Sequence, residues 1–201
     1  MAPNDSAGAQ AAWIEMIADA DATGALKDYY DAVRTPHGTV DNVMRAHSLR
    51  PHTMGGHLAL YKSVLHNPDN TLPFWFLEVV ASYTSICNRC DYSFAHHFTN
   101  VRRLIDDEQK ADAILAALEA HAPEQVFDGK ELALLVYAAK LTTAVGDMAQ
   151  SDIEALHAAG CDDGEILEVN QVCAYFNYSN RLLNGLGVTT QGDVIGYYKK
   201  D

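Results

Sequence analysis

The sequence predicts an all-α fold. Apolar residues recur at helical spacing along most of the chain. Pro and Gly mark the breaks, as at Arg50-Pro51, Asn67-Pro68-Asp69-Asn70 and Gly185 with Gly187. No stretch shows the strict alternation of a half-buried strand.

Taken in order, residues 9–20 and 24–34 read as short amphipathic helices, the second closing at Thr35-Pro36-His37-Gly38. Val40 to Leu49 reads as a further helix, stopped by Arg50-Pro51. Met54-Gly55-Gly56-His57 reads as a turn and a candidate pocket lip, opening into the helix HLALYKSVLH. Pro73 stands where a first helical residue belongs, ahead of FWFLEVVASYTSI. Helices follow at about 89–105, 107–120, 129–145 and 150–159, and a last long one covers EILEVNQVCAYFNYSNRLLNGLG. Leu77-Glu78-Val79 and Leu167-Glu168-Val169 open two of these helices alike, a faint internal echo. No linker rich in Pro, Gly and Ser divides the chain, so a single all-helical domain over 1–201 is expected. The tail GDVIGYYKKD is apolar and aromatic enough to pack on its own core or on a neighbouring subunit.

Bulk properties narrow the function classes. Lys and Arg total 14 against 27 Asp and Glu, a formal charge of −13. A nucleic acid or an anionic membrane needs a basic footprint, so neither is an expected partner. The start MAPNDSAGAQAA lacks the basic and apolar regions of a leader, and no apolar run is long enough to span a membrane. The expected location is cytoplasmic, which makes the four cysteines reduced thiols rather than a disulfide framework.

The chemistry concentrates in ICNRCDYSFAHHF, residues 86–98. On a helix, Ser93 lies one turn from Cys90, and His97 returns to within about 20° of the same line, whereas His96 falls about 120° away. Asn88 reads as the N-cap, with Asp91 completing a capping-box-like pattern. Cys90 would then be the second helical residue, its thiol acidified by free N–H groups and the positive end of the helix. Cys87 would lie in the approach and meet Cys90 only by bending the chain. Glu78 stands in the apolar stretch PFWFLEVVASY, where a lone carboxylate needs a partner. His97 is one candidate, reached if the chain folds back near Asn88, and Arg181 is another. A buried Glu beside a His and a thiol would form a proton relay.

Each residue also has a structural reading. Cys87, Cys161 and Cys173 serve as small buried groups in such cores, Tyr83 and Tyr92 as core aromatics, and His96 as a cap or a subunit contact. Asn177, Asn180 and Arg181 share one face of the last helix and suit inter-helix hydrogen bonding. A metal set of Glu78, His96 and His97 is disfavoured, because adjacent histidines on a helix diverge by about 100°. No phosphate loop, serine triad or nucleotide-cofactor fingerprint is present, so no cofactor is expected.

The motif around Glu78 resembles the carboxymuconolactone decarboxylase/alkylhydroperoxidase D superfamily, in its peroxidase-related branch. That pattern is a Glu, eleven residues, Cys-x-x-Cys, and a His four residues after the second Cys. Here it places Glu78, Cys90, Ser93 and His97 in register. The segment NRCDYSFAHH matches the branch's N-x-C-x-Y-C-x-x-H-H with Tyr92 in place, except that Ser93 occupies the second cysteine position. AAKLTT (138–143), DIEALHAAGCDDGEI (152–166) and YFNYSNRLLNGLGV (175–188) extend the resemblance over roughly residues 40–190.

The resemblance implies a helical bundle assembling as a homodimer or a hexamer of dimers. In peroxidase members the second cysteine attacks the hydroperoxide and the first resolves it. A serine there forms neither sulfenate nor disulfide, so that cycle cannot run in its usual register. Three expectations follow. The first is an enzyme without cofactor doing acid–base chemistry on a small organic acid or lactone. Glu78 and His97 would shuttle the proton, with Cys90 and Ser93 hydrogen-bonding and Tyr92, His96, Asn177 and Arg181 lining or supporting the pocket. The second is a thiol peroxidase using Cys90 with Cys87 as resolving thiol, reduced by a dithiol partner protein. The third is a non-catalytic binding or redox-sensing member.

Overall fold

The computed structural model describes residues 11–196. Among them are nine α-helices, three short 3-10 turns and no strand, in agreement with the predicted class. The start of the chain, read above as carrying no leader, and the tail aromatics Tyr197 and Tyr198 lie outside the described residues.

The molecule is organised around α4 (Phe74–Cys87). Every residue from Phe76 to Ser85 is buried, the pattern of a helix apolar on all sides and surrounded by others. α4 packs most extensively on α5 (Asp91–Ile105), then on α9 (Asp163–Leu186) and α7 (Gly129–Thr143). α6 (Glu108–Glu119) and α8 (Gln150–Ala158) close the outside of this bundle. α3 (Pro51–Leu65) lies on α9, and α1 (Gly24–Ala32) lies on α3, with the short α2 (Asn42–Arg45) between them in the chain. α9 is begun by a reciprocal capping box, Glu165 N–H donating to Asp162 at 2.9 Å and Asp162 N–H to Glu165 at 3.0 Å. No helix among the described residues is long and apolar enough to cross a membrane.

Several boundaries differ from the sequence reading. Residues 11–20 form no helix beyond a 3-10 turn at Asp19–Asp21. Their backbone pairs with the far end of the chain instead: Trp13 N–H donates to Leu186 O at 2.8 Å and Thr189 N–H to Ala11 O at 2.8 Å. The stretch 40–49 condenses to the single turn of α2. Met54 to His57 is not a turn but the interior of α3, where Tyr29 lies 2.9 Å from the place a Cβ on Gly55 would take. Pro73 precedes α4 as its N-cap rather than opening it. The two echoed glutamates do different work. Glu78 is buried in α4, whereas Glu168 on α9 accepts from the Thr71 and Leu72 N–H groups and so anchors the approach to α4.

The tail, as far as it is described, lies on its own chain. Asn42 Nδ2 donates to Thr189 O and Gln191 O, both at 2.9 Å, and Asp193 accepts from Asn42 N–H.

Candidate active site

The α4–α5 connection shapes the site. α4 runs through Cys87 and is capped by Asn88; Arg89 takes a left-handed φ of 53°, and Cys90 is the N-cap of α5. This short reversal makes a helical hairpin, which places the 78–82 turn of α4 against the middle of α5. Asn88 is therefore not the N-cap of the second helix, and Cys90 is not inside its first turn. Asn88 Nδ2 instead donates to Asn177 Oδ1 at 3.1 Å, tying the reversal to α9.

The hairpin brings Glu78 and His97 together. His97 Nδ1 and Glu78 Oε2 lie 2.6 Å apart, and Asn100 Nδ2 donates to Glu78 Oε1 at 3.2 Å. Glu78 is wholly inaccessible, so these two contacts supply what water would have supplied. With Nδ1 engaged, Nε2 is the His97 nitrogen left for a ligand. His97 forms part of the wall of a cavity of about 250 Å³, between α3, α5, α9 and the segment 32–44. Ser93 and the aromatic rings of Tyr61 and Tyr175 line the same space.

The thiols stand elsewhere. Cys90 is buried in an apolar cluster with Ala12, Ala46, Leu183 and Val188, and Cys87 packs on the main core. Neither lines the cavity. Burial pushes the Cys90 thiol up, against the opposing hydrogen bonds from Ser93, and burial pushes Cys87 up to about 11. The acidified thiol expected at a helix start is thus corrected. At the N-cap the sulfur is sealed by apolar side chains, and desolvation of the thiolate outweighs the N–H groups. Cys161 and Cys173 are buried structural groups whose thiols are raised by the same cause.

Arg181 does not pair with Glu78. Its guanidinium is exposed and donates to Asn177 O at 2.8 Å and Asn177 Oδ1 at 2.7 Å, one turn back on its own helix. Asn177 also donates to Thr142 Oγ1 at 3.1 Å, and Asn180 is buried with its Nδ2 3.3 Å from Ser85 Oγ. Neither Asn177 nor Arg181 lines the cavity.

Tyr92 and His96 do line it, and they form a second polar group there. Tyr92 donates its hydroxyl to Asp193 at 2.5 Å and accepts from Val43 N–H at 3.1 Å. His96 stacks on Tyr92 with ring centroids 4.8 Å apart, and its Nε2 lies 3.7 Å from Asp193. Asp41, His57 and Asn100 also line it, with Arg34 and Lys62 as its cationic side chains. The sequence offered a faint signal for His57, as part of the pocket lip, and none for Asp41, Asn100 or Asp193. Among the described residues no three His, Cys, Asp or Glu side chains converge so as to hold a metal ion.

No protein-family model matches the sequence, and no curated protein matches it. Solved structures do match. An uncharacterized peroxidase-related protein with an alkylhydroperoxidase AhpD core, from Ralstonia eutropha JMP134, superposes with a TM-score of 0.78 at 21 % identity, over 92 % of this chain and 95 % of that one. An uncharacterized peroxidase-related protein from Silicibacter sp. TM1040 gives 0.78 at 22 % identity, over 94 % and 97 %. The debrominase Bmp8, an enzyme, gives 0.71 at 15 % identity, over 93 % and 95 %. The helical bundle built on the α4–α5 hairpin therefore has the fold of the alkylhydroperoxidase AhpD core.

Proposed function

We propose that the protein is an enzyme doing general acid–base chemistry on a small organic acid or lactone, with His97 moving the proton. The observation that carries this is the buried 2.6 Å contact of His97 Nδ1 with Glu78, on a histidine that also lines a cavity. Glu78 fixes the ring and stabilises the imidazolium formed when Nε2 accepts a proton, the arrangement that makes a histidine an effective base and then an acid. Ser93 adds a hydroxyl to the wall, able to donate to a ligand oxygen or accept from a ligand O–H. The cavity volume suits a compact molecule, and its aromatic sides suit a planar one. The debrominase of the same fold has been crystallised, as a cysteine-to-alanine variant, with 2,3,4-tribromopyrrole, which agrees with a small planar ligand.

The thiol-peroxidase reading draws no support from the geometry, since Cys87 and Cys90 occupy different apolar clusters and leave the cavity wall to Ser93. The test is turnover on a panel of small carboxylic acids and lactones, run beside hydroperoxide consumption with dithiothreitol as reductant. Turnover of an acid or lactone that drops by about 10²–10⁴ in His97→Ala and in Glu78→Gln supports the reading. Full activity in both variants, or hydroperoxide consumption that depends on Cys90, sinks it.

A further inference from the structure

Asp41 is the buried carboxylate that the relay does not use. It immediately precedes α2, where an aspartate ordinarily turns back to cap the first N–H groups. Here it makes no such bond. Those N–H groups are taken by other residues, Asn42 N–H by Asp193 at 3.1 Å and Val43 N–H by the Tyr92 hydroxyl at 3.1 Å. Asp41 is thus released from the usual task of its position, yet it is only 7 % exposed. It lines the same cavity as His97, and its Oδ1 has no hydrogen-bond partner among the described residues. Two more unpartnered polar atoms belong to buried residues of this wall, His57 Nδ1 and Asn100 Oδ1. Polar atoms left unpaired in a fold are costly, and all three belong to side chains that line one cavity, where a polar ligand is their natural complement.

We propose that Asp41, as a neutral carboxylic acid, donates a hydrogen bond to an anionic oxygen of a small planar organic carboxylate or enolate bound beside His97. This rests on the acid–base reading and adds the group that would hold the developing charge. In a proton abstraction next to a carbonyl, the C–H bond breaks and its hydrogen goes to His97 Nε2. The electron pair forms the new C=C bond, and the carbonyl π pair moves onto oxygen. The Asp41 O–H meets that oxygen, and the imidazolium returns the proton to a carbon of the same molecule. Nothing is oxidised or reduced. The local electrostatics agree: burial, then the charge of Asp193, push the Asp41 carboxyl up to about 7, while His96 pulls it down.

Benzoate is a suitable probe, since it is planar, stays anionic from pH 5.5 to 8.5 and needs no turnover. The charged or titratable groups around Asp41 and the cavity are Asp193, His96, His97, His57, Arg34, Lys62 and the phenols of Tyr61, Tyr92 and Tyr175. Histidine protonation could itself favour an anion at low pH, so the variants separate the sources. Calorimetry should show benzoate affinity falling at least tenfold from pH 5.5 to 8.5 in the parent and in His97→Ala. In Asp41→Asn, which keeps a donor that does not ionise, binding should persist and this fall should disappear. Asp41→Ala should lose at least tenfold at pH 5.5. An unchanged pH dependence in Asp41→Asn, full affinity in Asp41→Ala, or no benzoate binding to the parent at pH 5.5 overturns the proposal. Binding is read without catalysis, so failure of the His97 turnover test leaves this result standing by itself.

Discussion

His97 and Glu78, nineteen residues apart in the chain, share a 2.6 Å contact in which the carboxylate is wholly buried and the imidazole borders a cavity. One partner is thus fixed by the core and the other faces the ligand space. Removing the imidazole would leave Glu78 with Asn100 as its remaining contact. We expect His97→Ala to lower the unfolding free energy by about 2–4 kcal/mol, because a buried acceptor loses its partner. Glu78→Gln keeps the shape and an acceptor oxygen, and should cost less than about 1.5 kcal/mol. Urea unfolding of the three proteins checks this, and the reverse order would show that the pair does not behave as a buried acceptor served by His97.

The thiols make the second prediction. All four cysteines are free, and burial raises each thiol, Cys87 to about 11. A raised thiol is neutral at pH 7 and a poor nucleophile. A disulfide-exchange reagent should therefore modify the native protein slowly and modify four thiols after denaturation. One equivalent of hydroperoxide should remove none of them. Rapid loss of two thiols, blocked by Cys90→Ser, would show that the pair can meet and react.

What the sequence disclosed depends on distance along the chain. The helical class and the pairing of Glu78 with His97 were legible because both follow from local periodicity and one reversal near Asn88. The thiol reading failed on a shift of two residues. The chain turns through Arg89 and starts α5 after Cys90, so the sulfur enters an apolar cluster built from residues as remote as Ala12 and Val188. Asp41 was not legible at all. Its burial, and its release from capping, depend on Asp193 and Tyr92, and no local pattern reports that the end of the chain returns to α2.

Arg89 offers a local test of the reversal. Its φ of 53° lies in the left-handed region, where a Cβ crowds the backbone, and its side chain is exposed. Glycine relieves that crowding but gives the unfolded chain more freedom, so Arg89→Gly should gain about 0.5–1 kcal/mol net. Thermal unfolding should show a higher midpoint. A loss of stability would mean that the arginine side chain contributes more than its backbone strain costs.

Asp41 also predicts how stability should vary with pH, independently of any ligand. Its carboxyl gives up a proton near pH 7 in the fold, against an ordinary value of 3.8. The folded protein therefore holds a proton that the unfolded chain releases. Stability from this group is complete below 3.8 and is lost as pH rises towards 7, the direction opposite to that of a salt-bridged carboxylate. His57 acts in the other sense. Burial, together with nearby His47, holds its imidazole down at about 4, so its contribution is lost as pH falls below the ordinary value of 6.5. Comparing variant with parent at each pH cancels the His57 contribution. Asp41→Asn removes the ionisation while keeping the shape, so its stability relative to the parent should rise by about 2–3 kcal/mol from pH 5 to pH 8. Urea titrations at the two pH values measure this difference directly. A variant-to-parent difference that stays constant from pH 5 to pH 8 would mean that Asp41 is already ionised in the fold at pH 5, and that the cavity wall carries a carboxylate there.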